Sequence, residues 1–159
     1  GGAYVHFVEN PADCLALALL LDQVPRNIYR ATPRAFGTDA KAREVARIAL
    51  DLGHDQGIAN WHKMFLYLPF EHSENLADQD RACALYEPLG EERSYEAALA
   101  HREAIRKFGR FPHRNEFLGR ANTPEEEAYL EDPPLWGKTA AEVAEIERRK
   151  AEQAADAEA

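Results

Sequence analysis

Apolar residues recur at spacings of three and four through most of the chain, which is the pattern of amphipathic helices. The clearest case follows Thr38, where Val45, Ile48 and Leu52 mark one face before Gly53. Polar N-cap residues and helix-ending glycines frame such stretches. Further helices are predicted to begin at Asn10, Ile58, Ser73, Ser94, Thr123 and Thr139. We therefore predict an all-α fold of antiparallel helical hairpins joined by short turns.

Proline and glycine positions predict where these helices begin and end. Asn10 precedes Pro11, which suits the first helical position because proline has no N–H to lose there. Pro69 is predicted to end the third helix, since proline blocks helix continuation. Gly90 and Gly109 are predicted to end the fourth and fifth helices.

The first predicted helix differs from the others because residues 14–21 are apolar on every face. A helix of that kind is expected to be buried all round. Its Cys14, like Cys83 further on, lies among apolar residues, so both are expected to be buried free thiols. Residues 4–8 alone have a strand-like pattern, and one isolated strand is not stable.

The far end of the chain loses its apolar pattern. Thr123 and Thr139 each begin a Thr-x-x-Glu capping box, but the helix after Thr139 becomes polar throughout. We divide the chain into a helical domain, residues 1–132, and an acidic helix or tail, residues 133–159.

Composition and charge narrow the class of protein. The 159 residues carry a formal net charge of −9 and are 45% hydrophobic, which is globular composition. An acidic total argues against nucleic acid as a partner. The longest apolar run, residues 14–21, is too short to cross a bilayer, and we expect a soluble cytoplasmic protein. Residues 121–159 hold 4 basic and 11 acidic residues, so most of the acidity belongs to the tail.

Two segments form an imperfect internal repeat. Residues 24–33 and 111–124 both contain a proline, an Arg-Asn pair, an aromatic residue, an Arg-Ala pair and Thr-Pro. Proline and asparagine favour turns, so each copy is predicted to form a corner between helices. One interpretation is that these arginines and asparagines only close the corners. The other is that they hold a carboxylate or phosphate, which the arginine fork fits well.

A basic stretch surrounds the second copy of this repeat. Residues 101–120 contain six basic and two acidic residues within an acidic chain. These arginines either pair with acidic residues of neighbouring helices or form an anion site. The sequence leaves both interpretations open.

Residues 68–74 form a third polar motif, in which a proline is followed by His72, Ser73 and Glu74. A histidine beside a carboxylate can act as an acid or base. No third metal ligand lies nearby and there is no His-Glu-x-x-His spacing, so no metal is expected. Glycine-rich nucleotide cradles are also missing from the sequence, and no cofactor is expected.

Three motifs in order resemble one bacterial family, domain of unknown function 924. They are residues 22–27, residues 65–74 with Gln79, and residues 108–126. The resemblance implies a tetratricopeptide-like, right-handed helical array and no assigned activity. Val24 stands where the family usually has phenylalanine. Family members begin with a longer, aromatic-rich helical region, which this chain is expected to lack.

These observations support three hypotheses about function. The first is a binding module for a small anion or an acidic peptide. Its candidate ligand-binding residues are Arg26, Asn27, Arg30, His72, Glu74, Arg110, His113, Arg114, Asn115 and Arg120. The second is a small hydrolase or isomerase using His72 or His113 with Glu74. The third is a scaffold with a buried polar network that associates with a protein partner.

Overall fold

A computed structural model describes residues 6–134, 136, 144–146 and 148, and this part of the chain contains helices and no strand. The prediction of an all-α fold is confirmed. Its α-helices are α1 (Pro11–Ile28), α2 (Asp39–Asp51), α3 (Asn60–Glu71), α4 (Leu76–Tyr86), α5 (Glu92–Phe108) and α6 (Pro124–Glu131). Short 3-10 turns cover Pro33–Phe36, Glu87–Leu89 and Pro112–Arg114.

The chain divides into two compact units, residues 1–111 and residues 112–159. In the first unit α1 packs on α2 and α3, and α4 packs between α3 and α5, so neighbours in sequence are neighbours in space. Its core is built from small and large apolar side chains of all five helices, including Ala18, Ala46, Phe70, Tyr86 and Ala98. In the second unit α6 packs on the turn Pro112–Arg114. The right-handed, tetratricopeptide-like arrangement of the helices stays a prediction.

Two prolines lie inside helices, so the helix end predicted at Pro69 is wrong, and the corner predicted for residues 24–33 begins only after Ile28. Helix α1 continues through Pro25 to Ile28, and α3 continues through Pro69 to Glu71. Proline removes the N–H that would bond to the carbonyl four residues earlier. At Pro25 that carbonyl, on Leu21, instead accepts a 2.5 Å hydrogen bond from the Thr38 hydroxyl. A tertiary contact therefore compensates the bond that the proline removes.

Two predicted serine N-caps are also wrong. Asn75, rather than Ser73, caps α4, because its side-chain oxygen accepts from the Ala77 N–H at 2.8 Å. Ser73 instead donates its hydroxyl to Asp78 at 2.7 Å. Ser94 lies inside α5, which begins at Glu92. A serine spaced correctly for a cap can find a better acceptor in the folded chain.

Other predicted helix starts are confirmed. The Asn10 side chain accepts from two N–H groups in the first turn of α1. Thr123 and Glu126 form the full capping box of α6. The box predicted at Thr139 lies outside the described residues, as do residues 4 and 5 of the strand-like stretch, whose described residues 6–8 form a 3-10 turn.

The expectation that α1 is buried on every face is wrong. Cys14, Leu17 and Leu21 are buried, whereas 58% of the surface of Leu20 is exposed. Among the described elements, only α2, α3 and the turn Pro33–Phe36 pack closely on α1, and they cover one side of it. Cys14 and Cys83 are buried free thiols, as predicted.

The corner after α1 contains a backbone position that favours glycine. Ala31 has φ of 60°, the left-handed region in which the Cβ of an L-residue crowds the backbone. We expect Ala31→Gly to raise the free energy of unfolding by about 0.5–1 kcal/mol, because it removes this strain. Ala100→Gly on the exposed side of α5 is the matched control and should lower it by about 1 kcal/mol. Urea unfolding of both variants measures this, and a loss of stability in Ala31→Gly would contradict it.

Candidate functional site

The most developed polar contact in the first unit joins Asp22 on α1 to His72 at the end of α3. His72 Nδ1 lies 2.9 and 3.0 Å from the two carboxylate oxygens of Asp22. Asp22 is 1% exposed, while His72 keeps 16% of its side-chain surface exposed. Because a carboxylate only accepts, Nδ1 of His72 carries a proton in this contact.

Asp22 stays ionised despite being buried. Burial by itself would raise the pKa of the carboxyl group, but the charges of His72 and Arg26 and hydrogen bonds from His72 and Gln23 outweigh it. Together they lower the pKa of Asp22 to about 2. The imidazole of His72 is thus held by a permanent negative charge.

Arg26 links this pair to the beginning of α2. Its Nη1 and Nη2 each lie 2.9 Å from one oxygen of Asp39, a bidentate ion pair. Nη1 also donates to the Asp22 backbone carbonyl at 2.7 Å and lies 3.2 Å from the Asp22 carboxylate. Arg26 therefore neutralises two carboxylates of the protein itself.

A second histidine and carboxylate lie beside the first pair. His101 Nδ1 on α5 lies 3.1 Å from Glu71 Oε1 and 2.8 Å from the Ala97 carbonyl oxygen. The carbonyl only accepts, so Nδ1 of His101 also carries its proton. The rings of His72 and His101 are 6.1 Å apart, centroid to centroid. Both imidazoles therefore donate a hydrogen bond through Nδ1 and lie close to each other in the fold.

Glu71 sits between these two histidines and is almost fully buried. Burial raises the pKa of its carboxyl group, and the charge of His72 acts against that rise. Burial and the neighbouring Glu71 raise the pKa of the Tyr86 hydroxyl in turn. Tyr86 donates to the Met64 carbonyl at 2.9 Å, which fixes the position of its hydroxyl.

The backbone that carries His72 is held in place by Gln79 of α4. Gln79 is fully buried, and its Nε2 donates to the carbonyls of Glu71 and Ser73 at 2.6 Å each. Both carbonyls flank His72, so α4 fixes the backbone on either side of it. Glu74, a predicted site residue, accepts from the Phe111 backbone N–H at 2.8 Å.

The remaining predicted residues of the first unit lie on its surface or at its edge. Asn27 and Arg30 are exposed, and the Asn27 amide donates to the Gln23 carbonyl at 2.9 Å. Arg110 is half-buried after the end of α5. Of the predicted ligand-binding residues in this unit, the structure thus brings Arg26 and His72 together on Asp22.

Two predicted residues of the second unit, Asn115 and Arg120, belong to a partly buried network of their own. The Asn115 amide donates to Asn122 at 2.9 Å and to Glu126 at 3.3 Å, and its oxygen accepts from Arg120 Nε at 2.8 Å. Glu126 also completes the capping box with Thr123. The second copy of the repeat therefore forms a corner, as predicted.

Two further predicted residues lie close to that network along the chain. Arg114 is buried, and the His113 ring packs edge-on against Trp136 with centroids 5.2 Å apart. The second copy of the repeat thus forms a densely packed corner.

Sequence reasoning missed four residues of the site: Asp22, Asp39, Glu71 and His101. One signal was present, because Asp22 precedes Arg26 by four residues and interrupts an apolar helix. His101 carried no such signal, since its partner Glu71 is 30 positions away in the printed sequence. Only the packing of α3 on α5 brings them together.

Neither a metal-binding cluster nor a membrane-spanning helix is found among the described residues. Among them, no group of three His, Cys, Asp or Glu side chains could hold a metal ion. No helix among residues 6–134 is long and apolar enough to cross a membrane.

Residues 22–27 and 65–74, which meet at this site, belong to sequence motifs that also characterise a known family. The family model described as "Bacterial protein of unknown function (DUF924)" matches residues 1–134. The chain belongs to this family. No curated protein matches it.

One solved structure is similar to this DUF924 protein in both sequence and fold. It is that of the protein of unknown function ATU0120 from Agrobacterium tumefaciens, with 47% identity and a TM-score of 0.78. The match covers 80% of this chain and 72% of that one. The DUF924 fold is therefore shared, and neither comparison supplies an activity.

Proposed function

We propose that this DUF924 protein is a small acid–base enzyme, a hydrolase or isomerase, in which His72 exchanges a proton with a bound small molecule. The observation that carries the proposal is the contact of His72 Nδ1 with both oxygens of the buried Asp22. An imidazole oriented by a carboxylate through Nδ1 can give up and take back a proton at Nε2, which is the arrangement acid–base catalysis uses.

The surroundings of His72 favour acid–base catalysis over the binding of an anion at the same place. The Nη atoms of Arg26 already bind Asp39, and Asp22 adds a further negative charge. An anionic ligand beside Asp22 would meet repulsion. The substrate class that suits the site is a neutral or cationic small molecule with an acidic proton or a hydrolysable bond.

The test compares His72→Gln with wild-type protein in the hydrolysis of p-nitrophenyl acetate, a neutral activated ester. A general base contributes roughly 100-fold or more to a rate, so His72→Gln should lose that factor. His6→Gln, whose side chain is exposed at 90%, is the control and should keep the wild-type rate. Equal rates for wild type and His72→Gln, or a wild-type rate no higher than that of free imidazole, would overturn the proposal.

A second candidate function is the binding of a small anion or acidic peptide by the basic segment. The observation that favours it is the excess of basic residues in residues 101–120, six against two acidic ones. Phosphate should then raise the melting temperature of wild-type protein and not that of Arg114→Ala. The same rise in both proteins would remove this candidate.

A further inference from the structure

Two histidine–carboxylate pairs lie side by side in the first unit, and they differ in what else neutralises the carboxylate. His72 contacts Asp22 at 2.9 Å, and His101 contacts Glu71 at 3.1 Å. The two ring centroids are 6.1 Å apart. Both carboxylates are nearly closed to solvent, with 1% of Asp22 and 6% of Glu71 exposed. A buried carboxylate needs a compensating positive charge, so its other partners decide what the histidine must supply.

Asp22 has a permanent cation beside it. Nη1 of Arg26 lies 3.2 Å from Oδ1 of Asp22, and the Gln23 amide donates to Oδ2 at 2.7 Å. A guanidinium keeps its charge throughout the pH range in which histidine titrates. Asp22 is therefore stabilised whether or not His72 is protonated.

Arg26 serves Asp22 although it also binds Asp39. Asp39 is the first residue of α2, where the positive end of the helix dipole stabilises a carboxylate, and 12% of its side chain is exposed. Asp22 lies inside α1 and is dry, so it has neither advantage. Asp39 thus depends on Arg26 less than Asp22 does, and the shared guanidinium leaves part of its charge for Asp22.

Glu71 lacks such a permanent cation. Among the described residues, His101 is the one cationic side chain within ion-pair distance of its carboxylate. The Tyr86 hydroxyl and the Cys83 thiol on α4 also interact with Glu71. Burial raises the pKa of both above their ordinary values, so they stay uncharged near neutral pH. The positive charge that Glu71 needs must therefore come from His101.

His101 is held in a position that favours keeping its proton. Its Nδ1 lies 2.8 Å from the Ala97 carbonyl oxygen as well as 3.1 Å from Glu71, so two acceptors face the same N–H. Its ring packs edge-on against the fully buried Phe111, with centroids 5.6 Å apart. A positive charge there opposes a second one on His72, because like charges repel at the separation of these rings. We therefore expect the two imidazoles to carry different charges near neutral pH.

We propose that Arg26 is a positioning residue of the acid–base site, because it neutralises Asp22 in place of His72. His72 is then the imidazole that exchanges its proton, and His101 is the one that keeps a positive charge. This inference rests on the proposed function, since it assigns the protons of that same site. His72 takes a proton from the substrate or from water at Nε2 and returns it from the same nitrogen. Arg26, Asp22 and the pair of Glu71 and His101 gain and lose none during a turnover.

NMR titration of the histidine rings in the protein without substrate tests this assignment separately from any activity. Arg26→Gln leaves the buried Asp22 dependent on His72, so the pH midpoint of the His72 ring titration should rise by about one unit or more. Arg26→Lys keeps the charge and should return the midpoint most of the way to the wild-type value. The same His72 midpoint in Arg26→Gln and wild type overturns the proposal.

Asp39→Asn is the matched variant of opposite sign, and it keeps the test decisive where Arg26→Gln fails to fold. It leaves the whole charge of Arg26 for Asp22, so the His72 midpoint should fall by about half a unit. The exposed His6 is the internal control and should titrate at the same pH in every variant. A rise of the His72 midpoint in Asp39→Asn contradicts the role of Arg26.

Glu71→Gln tests the other pair. Without the carboxylate, a positive charge on the buried His101 has no partner, so its ring should titrate about one unit lower than in wild type. The His101 ring of wild-type protein should be positively charged at neutral pH. A neutral His101 there would show that the pair does not hold the charge assigned to it.

The pH profile of p-nitrophenyl acetate hydrolysis connects the charges to catalysis. Arg26→Gln should be about tenfold slower than wild type at the acidic end and should recover at high pH, since a protonated His72 accepts no proton. A loss of the same size at every pH would mean that Arg26 only supports the fold. If wild-type protein is inactive while the ring titrations shift as expected, the proposed function fails and the assignment of charges stands.

Discussion

Replacing Asp22 with alanine should lower the free energy of unfolding by about 3–5 kcal/mol, since it removes one partner of a buried charge pair. Asp22 is 1% exposed and contacts His72, Arg26 and Gln23 through its carboxylate. Without it, the His72 N–H and part of the Arg26 guanidinium lose their acceptor in a dry environment. Urea unfolding at neutral pH measures this loss.

Asp22→Asn tests the contribution of the negative charge alone, because asparagine keeps the volume of the side chain and one hydrogen-bond acceptor. Folding lowers the pKa of Asp22 to about 2 from its ordinary 3.8, so ionised Asp22 stabilises the folded state above pH 4. That contribution is lost as the pH falls toward 2. Between pH 5 and pH 2 the wild type should therefore lose about 2 kcal/mol more stability than Asp22→Asn.

The control for both variants is Asp51→Ala, on the exposed side of α2, which should change stability by less than about 0.5 kcal/mol. If Asp22→Asn follows the same pH dependence as the wild type, Asp22 is not the ionised partner of His72. The general-base role of His72 would then lose its physical basis.

Phe70→Ala should destabilise the protein by a similar amount, about 3–5 kcal/mol, through the cavity it leaves. Phe70 is fully buried in the core of the first unit, and the Arg81 guanidinium lies 4.9 Å from its ring centroid. It also precedes Glu71 and His72 on α3, so a cavity at Phe70 loosens the last turn that carries the site. Urea unfolding with an unchanged denaturant slope would show this as lost stability alone.

Phe7→Ala is the matched control for Phe70→Ala, since Phe7 is 49% exposed and its removal leaves no closed cavity. Its cost should stay below about 1 kcal/mol. A similar loss in both variants would mean that the core does not centre on Phe70.

Local sequence signals were sufficient to predict a helix wherever the residues that form and cap it are neighbours in the chain. The caps at Asn10 and Thr123 and the apolar spacing of α2 predicted those helices, because a helix and its cap are set by residues within four positions of each other. The same signals failed at Pro25 and Ser73, because residues outside the predicted motifs supplied the deciding hydrogen bonds. Thr38 supplied it near Pro25, and Asp78 supplied it at Ser73.

The sequence by itself determined that this chain is helical, belongs among DUF924 proteins and carries polar motifs containing Arg26 and His72. Only the tertiary structure decided which carboxylates these residues bind. Asp22 and His72 are 50 residues apart, and their contact depends on how α1 packs against α3. Such a pairing is a property of packing geometry, which no local pattern of residues encodes, whereas helix formation is a property of neighbours in the chain.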